Sequence, residues 1–412
     1  MLDFLQKLKI KSTVISPAAL ERKVLLKKDR YFLYLTNFVI YDIIYALYKL
    51  KKCTLFLVFK KRGDLIMNYP VTCVWEVTMA CNMRCKHCGS SCSSALPGEL
   101  STAEAFKFID MCKDINLKWI NLSGGEPFVR PDLILLIKYL YANSIPINII
   151  SNGWLVSEDI AKELAGIKYL RVMISLDGPE EIHDFIRKPG SFARIKNSLE
   201  ILNKYNILTG CITTLTKQNY KFLEEIRTFL AKMNVECWQV QLGLPMGNLS
   251  ENKDWILEPK DLTGIIDYLY EKKGKDGVHI FPADCMGYYN AKIDGILSEA
   301  YGEKVGSWGG CNAGVSSFGL LHDGDIVGCT SIRDKKYVEG NIKNQTLREI
   351  WENPNSFAWR RNFKPQDLSG NCKKCEHASE CLGGCFNTRF TINNSFCSEN
   401  KYCTYNLMMG KK

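Results

Sequence analysis

Three cysteines within eight residues carry the strongest chemical signal in the chain. Cys81, Cys85 and Cys88 follow a C-x3-C-x2-C spacing, which places three thiolates on one short loop. Cys thiolates hold iron–sulfur clusters, and a [4Fe–4S] cube normally takes four of them. Three ligands leave one iron open for a small molecule, whereas a zinc knuckle or chance clustering is the alternative interpretation.

A second group of cysteines lies near the C-terminus. Its members are Cys311, Cys329, Cys372, Cys375, Cys381, Cys385, Cys397 and Cys403. The N-terminal residues lack the apolar stretch and cleavage site of a signal peptide, so these spacings indicate metal sites in a cytoplasmic protein and not disulfides. A zinc ribbon is the alternative for the block 372–385.

The elements that must position the first three cysteines alternate between β-branched runs and helical patterns. Predicted strands are 74–78, 119–123, 147–151, 170–176, 209–214 and 237–242. The first predicted helix begins at Ser101. Further helices are predicted over 132–143, 158–165, 192–205, 220–233 and 259–272. Six consecutive βα units predict a parallel sheet with right-handed crossovers, in the form of an open, partial (β/α)6 TIM-like barrel.

Glycine-marked polar turns follow three of these predicted strands. They are Ser123–Pro127, Ser151–Gly153 and Ser175–Gly178. Active sites of such barrels lie at the C-terminal ends of the strands, where the cysteine loop also belongs. We therefore expect one site that contains all four segments.

The cysteine loop, followed one βα unit later by Gly124-Gly125-Glu126-Pro127, resembles the radical S-adenosylmethionine (SAM) superfamily. The resemblance implies that the open iron chelates SAM and that the Gly-Gly-Glu-Pro element binds its amino group. It also implies that His87 lies near the adenine and that Arg187 pairs with the SAM carboxylate. The remaining implied contacts to the ribose and carboxylate are Ser151, Asn152, Ser175 and Asp177.

The C-terminal cysteines resemble the SPASM domain, which holds two auxiliary [4Fe–4S] clusters and brings the expected total to three. By that resemblance, the distal cluster takes Cys372, Cys375, Cys381 and Cys403. The cluster nearer the barrel takes Cys311, Cys329 and Cys385. Relatives often supply a fourth ligand six residues before the first, but position 305 is Val. The fourth ligand of this cluster is then Cys285 or Cys397. Otherwise its fourth iron is open and can bind a substrate thiolate.

The resemblance implies an enzyme that cleaves SAM reductively and oxidatively modifies a ribosomally made peptide, for example by thioether or carbon–carbon crosslinking. Its electron donor would be a flavodoxin or ferredoxin. Three alternatives stay open: a formylglycine-forming sulfatase maturase, an enzyme acting on a small molecule or tetrapyrrole, and a non-catalytic iron–sulfur or zinc module.

The charge of this 412-residue chain is concentrated at its front. Residues 1–69 contain fourteen Lys or Arg and five Asp or Glu, hence +9 of the total +10. This basic extension suits an acidic leader peptide or a membrane surface, and no motif indicates nucleic-acid binding. We predict three regions: the extension (1–69), the barrel (70–275) and the SPASM domain (276–412).

Overall fold

A computed structural model of the chain describes residues 69–410. Its strands are β1 (Thr72–Thr78), β2 (Trp119–Gly124), β3 (Ile147–Ser151), β4 (Leu170–Ser175), β5 (Leu208–Leu215), β6 (Cys237–Leu242), β7 (His279–Pro282), β8 (Ser317–Leu320), β9 (Asp325–Val327) and β10 (Val338–Asn341). These ten strands form one sheet in the order β10-β9-β8-β1-β2-β3-β4-β5-β6-β7.

Helices connect the strands and dominate the C-terminal region. They are α1 (Thr102–Asp114), α2 (Leu133–Ala142), α3 (Glu158–Leu164), α4 (Glu180–Ile186), α5 (Ser191–Lys204), α6 (Leu223–Lys232), α7 (Asp261–Lys272), α8 (Ala291–Tyr301), α9 (Leu347–Glu352), α10 (Ala358–Arg361), α11 (Gly370–Lys373), α12 (Ala378–Cys381), α13 (Phe386–Asn393) and α14 (Thr404–Met408). Short 3-10 helices occupy Pro127–Val129, Tyr220–Phe222, Gly247–Glu251, Lys253–Trp255, Lys335–Tyr337 and Pro365–Asp367.

Parallel pairing runs without interruption from β1 to β7, as alternating βα units require. β8 adds to the other side of β1, also in parallel, and β9 and β10 extend the sheet antiparallel. The predicted α/β class with a parallel, TIM-like sheet is confirmed. Each of the six predicted strands is present within two residues of its expected limits.

The sheet contains one more βα unit than expected, because β7 and α8 follow α7. The prediction that the alternation stops at residue 276 missed β7. Its four residues end in Pro282, and such a short apolar run cannot be assigned to a strand by periodicity alone.

The core lies between the sheet and its covering helices. Ile120 and Leu122 of β2 are fully buried in the same apolar cluster as Phe108 and Ile109 of α1. α1 begins at the capping box that its sequence predicts, in which Ser101 and Glu104 satisfy each other's backbone N–H groups. Four cysteines outside the two groups named above are buried: Cys73, Cys112, Cys211 and Cys237.

Residues 1–68 of the predicted basic extension, with Cys53, lie outside the described residues. Among the helices of residues 69–410, none has the length and apolar character needed to cross a bilayer.

Candidate functional site

The cysteine loop leaves β1 directly and is held in place by backbone contacts from three directions. Cys81 N–H donates to the carbonyl of Ser93 at 2.9 Å, and Lys86 N–H donates to that of Ile186 at 2.9 Å. The backbone N–H of Asn248 donates to Cys88 O at 2.9 Å, and its side-chain amide donates to Cys85 O at 2.8 Å. The loop geometry therefore depends on α4 and on the segment after β6.

Two N–H groups lie beside the sulfurs of this loop. Asn152 Nδ2 is 3.9 Å from Cys81 Sγ, and Arg187 Nη1 is 3.9 Å from Cys85 Sγ. Burial raises the pKa of the Cys85 thiol to about 11, and the positive charge of Arg187 opposes that shift. N–H donors and a cation beside the sulfurs suit thiolates that share a negatively charged cluster.

Three of the predicted SAM contacts pair with one another. Asp177 is fully buried, and its Oδ2 lies 2.8 Å from His87 Nε2 and 2.5 Å from Arg187 Nε. Burial acts to raise the pKa of Asp177, but Arg187 and His87 hold it well below its usual range. Arg187 thus contacts both the carboxylate and a cluster cysteine, and the contacts of these three side chains with SAM stay a prediction.

Glu126 joins the turns that follow β2 and β3. Its buried carboxylate accepts hydrogen bonds from Ser151 Oγ at 2.8 Å, Asn152 N–H at 2.7 Å and Phe128 N–H at 3.2 Å. Burial raises the pKa of Glu126 to about 7. Glu126 and Ser151 therefore form hydrogen bonds with protein groups in this structure. Their contacts with SAM stay a prediction.

The two glycines before Glu126 allow its turn to pack against the cysteine loop. A Cβ on Gly124 would lie 2.2 Å from Thr78 O, and one on Gly125 would lie 2.1 Å from Ala80 O. Pro127 starts the following 3-10 helix. Ser175, the remaining predicted contact, is half-buried at the end of β4.

The cysteine loop also contains polar atoms that lack protein partners. Asn82 Nδ2 and His87 Nδ1 are buried and have no hydrogen-bond partner within the described part of the chain. Buried polar groups normally have partners, so these two atoms fit a loop that surrounds a bound group. With the three thiols, this donor set fits an iron–sulfur cluster and its small-molecule ligand.

The four cysteines predicted for the distal auxiliary cluster line one partly open recess. They share its wall with several aromatic side chains. The lining includes Cys372, Cys375, Cys381, Cys403, Tyr288, Tyr289, His377 and Tyr405. Four thiols that line one recess fit a [4Fe–4S] cube.

A second group of thiols lies near Cys385. Burial and the nearby thiols of Cys311, Cys285 and Cys329 raise the pKa of Cys385 well above its usual value. Cys397, the other candidate for this group, is exposed. Within residues 69–410, no three His, Cys, Asp or Glu side chains are arranged to hold a single metal ion. The thiols of a [4Fe–4S] cube bind four different irons and are spaced more widely than the ligands of one ion.

Sequence reasoning missed an ion pair that joins the two cysteine regions. Arg333, four residues after Cys329, contacts the buried carboxylate of Glu76 in β1 and donates to Ser90 Oγ at 2.8 Å. A charged residue inside the otherwise apolar run of β1 was the available signal, since a buried charge requires a partner.

Comparison with known proteins agrees with this geometry. Residues 75–230 match the family model of the radical SAM superfamily, and residues 311–376 match that of the SPASM iron–sulfur cluster-binding domain. The AdoMet-dependent heme synthase of Methanosarcina barkeri is 33% identical over 351 residues, which cover 82% of this chain and 97% of the relative. The mycofactocin maturase MftC of Mycobacterium tuberculosis is 28% identical over 330 residues, covering 79% and 80%.

Solved structures share the fold. Streptococcus suis SuiB bound to S-adenosylmethionine superposes with a TM-score of 0.64 at 17% identity, covering 93% of this chain and 84% of SuiB. The enzyme anSMEcpe with bound AdoMet and a peptide gives a TM-score of 0.64 at 23% identity, covering 83% and 96%. The chain belongs to the radical SAM superfamily, carries a SPASM domain, and is an enzyme that uses [4Fe–4S] clusters and SAM.

Proposed function

We propose that Cys81, Cys85 and Cys88 hold the [4Fe–4S] cluster that binds SAM. When bound, the cluster and SAM supply a 5′-deoxyadenosyl radical that abstracts a hydrogen atom from the substrate. The observation that carries this assignment is the three-thiol loop at the C-terminal end of β1, with Asn152 and Arg187 beside its sulfurs. With two auxiliary clusters in the SPASM domain, the protein would hold three [4Fe–4S] clusters.

The protein residues of this site balance charge and fix one another's positions. Arg187 balances the negative charge of Asp177 and lies beside Cys85, so one cation serves both groups. The Glu126 carboxylate accepts a hydrogen bond from the backbone N–H of Asn152. This bond fixes the position of Asn152 relative to the cysteine loop. Because these groups pair with one another, the protein itself holds them in position at the site.

We propose a ribosomally made peptide as the substrate, modified by oxidation. Two observations support a peptide: the similarity to a protein named mycofactocin maturase, and the basic extension, whose charge of +9 suits an acidic leader segment. We also propose that a flavodoxin or ferredoxin donates the electron. A chain whose cysteines must stay reduced belongs in the cytoplasm.

A tetrapyrrole is the second candidate substrate. It is favoured by the 33% identity to an AdoMet-dependent heme synthase, nearly all of which aligns with this chain. The two candidates predict different mass changes and differ in their need for the basic extension.

Anaerobic turnover separates the candidates. Reconstituted enzyme, SAM and a reductant are incubated with the peptide encoded beside the reading frame or with a heme precursor, and 5′-deoxyadenosine and substrate mass are followed. We expect a loss of two hydrogens from the peptide that depends on SAM. The Cys88→Ala variant is the control for background chemistry. Mass change of the heme precursor alone would reject the peptide, and no SAM cleavage in any mixture would reject the enzyme assignment.

Charge reversal in the extension tests its role in recruiting a substrate. Lys23, Lys27, Lys28 and Arg30 are replaced together by Glu. In the variant we expect a higher KM for the peptide and unchanged SAM cleavage without substrate. In the parent, the affinity for the peptide should fall steeply as salt is added, since exposed charges are screened beyond about 8 Å at physiological ionic strength. A variant that instead loses binding to anionic vesicles, with normal peptide processing, would show membrane contact.

A further inference from the structure

Cys285 lies at the C-terminal ends of β6 and β7. It follows β7 by three residues, and its Sγ accepts a hydrogen bond from Leu242 N–H at the end of β6, 3.4 Å away. Ala283 N–H donates to Val240 O at 2.8 Å, which holds the segment against β6. The barrel therefore presents this thiol at the same end as the cysteine loop.

A tyrosine connects the Cys285 segment to Cys385 of the SPASM domain. Tyr288 is buried, and its hydroxyl accepts a hydrogen bond from Cys385 N–H at 3.0 Å. The same hydroxyl donates to Asp284 O, also at 3.0 Å. One side chain thus fixes the residue before Cys285 relative to the backbone of Cys385.

Cys311 and Cys329 both pack against the apolar cluster that contains Phe386, the residue directly after Cys385. The three cysteines expected to hold the barrel-proximal cluster therefore lie in one part of the SPASM domain, and Tyr288 holds the Cys285 segment against it.

Cys397, the competing fourth ligand, belongs to a different surface. It is exposed, its N–H donates to Ser395 Oγ at 3.1 Å, and its carbonyl accepts from Ser369 N–H at 2.8 Å. No described contact joins its thiol to Cys311, Cys329 or Cys385 in residues 69–410. The position six residues before Cys311 is Val305, which offers no ligand atom.

We propose that Cys285 is the fourth ligand of the barrel-proximal auxiliary cluster, an inference that rests on the proposed SPASM cluster assignment. All four irons of that cluster are then bound by protein thiolates, so a substrate thiolate has no iron to bind. The cluster also joins the barrel to the SPASM domain, because one ligand follows β7 and three come from residues 311–385.

The test compares Cys285→Ala and Cys285→Ser with Cys397→Ala as the matched control. The parent should bind about twelve irons in three cubes. We expect Cys285→Ala either to lose one iron and show an oxidised [3Fe–4S] signal in electron paramagnetic resonance, or to lose all four irons of that cluster. Cys397→Ala should match the parent. Cys285→Ser, which keeps an oxygen near the iron, covers the case in which the alanine variant does not fold.

Added 2-mercaptoethanol supplies a second readout that does not depend on activity. Reconstitution in its presence should restore iron to Cys285→Ala, because the added thiolate can replace the missing ligand, and should leave the auxiliary-cluster spectrum of the parent unchanged. Parent spectra that respond to the thiol, or full iron content in Cys285→Ala with loss in Cys397→Ala, would overturn the proposal. A parent that binds only one cluster would instead refute the SPASM assignment itself.

Discussion

A Gly125→Ala substitution should push the turn after β2 away from the cysteine loop. The new Cβ would lie 2.1 Å from Ala80 O and 2.6 Å from Ala80 C. Nonbonded carbon atoms prefer separations of about 3.5–4.0 Å, so the backbone must move by about 1 Å or more. That movement breaks the hydrogen bonds from Gly125 N–H to Thr78 O (2.7 Å) and from Glu126 N–H to Ala80 O (2.9 Å).

Two lost hydrogen bonds at about 1 kcal/mol each and an overpacking cost of about 1–3 kcal/mol sum to roughly 3–5 kcal/mol. Anaerobic urea unfolding measures that loss, and equilibrium dialysis measures SAM affinity, which should fall as well. Gly264→Ala in α7 is the control, because its Cβ meets nothing within 4 Å and alanine favours helices by about 1 kcal/mol. A Gly125→Ala variant with parental stability and SAM affinity would refute the close-packing argument.

Three further predictions concern separate parts of the protein. Replacing Cys81, Cys85 and Cys88 together by Ala should leave about eight irons. Cys88→Ala should abolish reductive SAM cleavage, whereas Cys381→Ala should keep some cleavage; parental cleavage in both would contradict the assigned roles. Arg187→Leu should cost about 3–5 kcal/mol in urea unfolding, because Asp177 stays buried without its cation, and Arg187→Lys should recover most of it. Burial lowers the pKa of His183 to about 3, so the unfolded state binds its proton first as pH falls. Unfolding free energy should therefore drop by about 2 kcal/mol from pH 7 to pH 5 through this residue. His183→Gln should lack this part of the pH dependence of the unfolding free energy. If the variant keeps the parental pH dependence, His183 is not its source.

The barrel was predictable because its signals are local. β3 and β6 have the predicted limits, since each is a β-branched or aromatic run flanked by turn residues. The spacing of Cys81, Cys85 and Cys88 and the Gly-Gly-Glu-Pro turn are also local patterns. Both remain recognisable in a single sequence.

Contacts between distant segments were not predictable from the sequence. The pairing of Asp177 with His87 and Arg187 depends on how α4 returns to the cysteine loop, which no spacing encodes. The same holds for Arg333 and Glu76, which are 257 residues apart. Spacing left Cys285 and Cys397 equally eligible, and only their positions in the fold distinguish them.

The pairing of β8 with β1 determines what happens when the C-terminal region is removed. Thr72–Trp75 pair with Ser317–Leu320, so a chain truncated before residue 311 would expose one whole side of β1. Unpaired N–H and C=O groups on an exposed strand promote aggregation between molecules, and Glu76 would also lose Arg333. The SPASM region is thus a cap on the barrel as well as a cofactor domain. A truncated barrel should therefore precipitate.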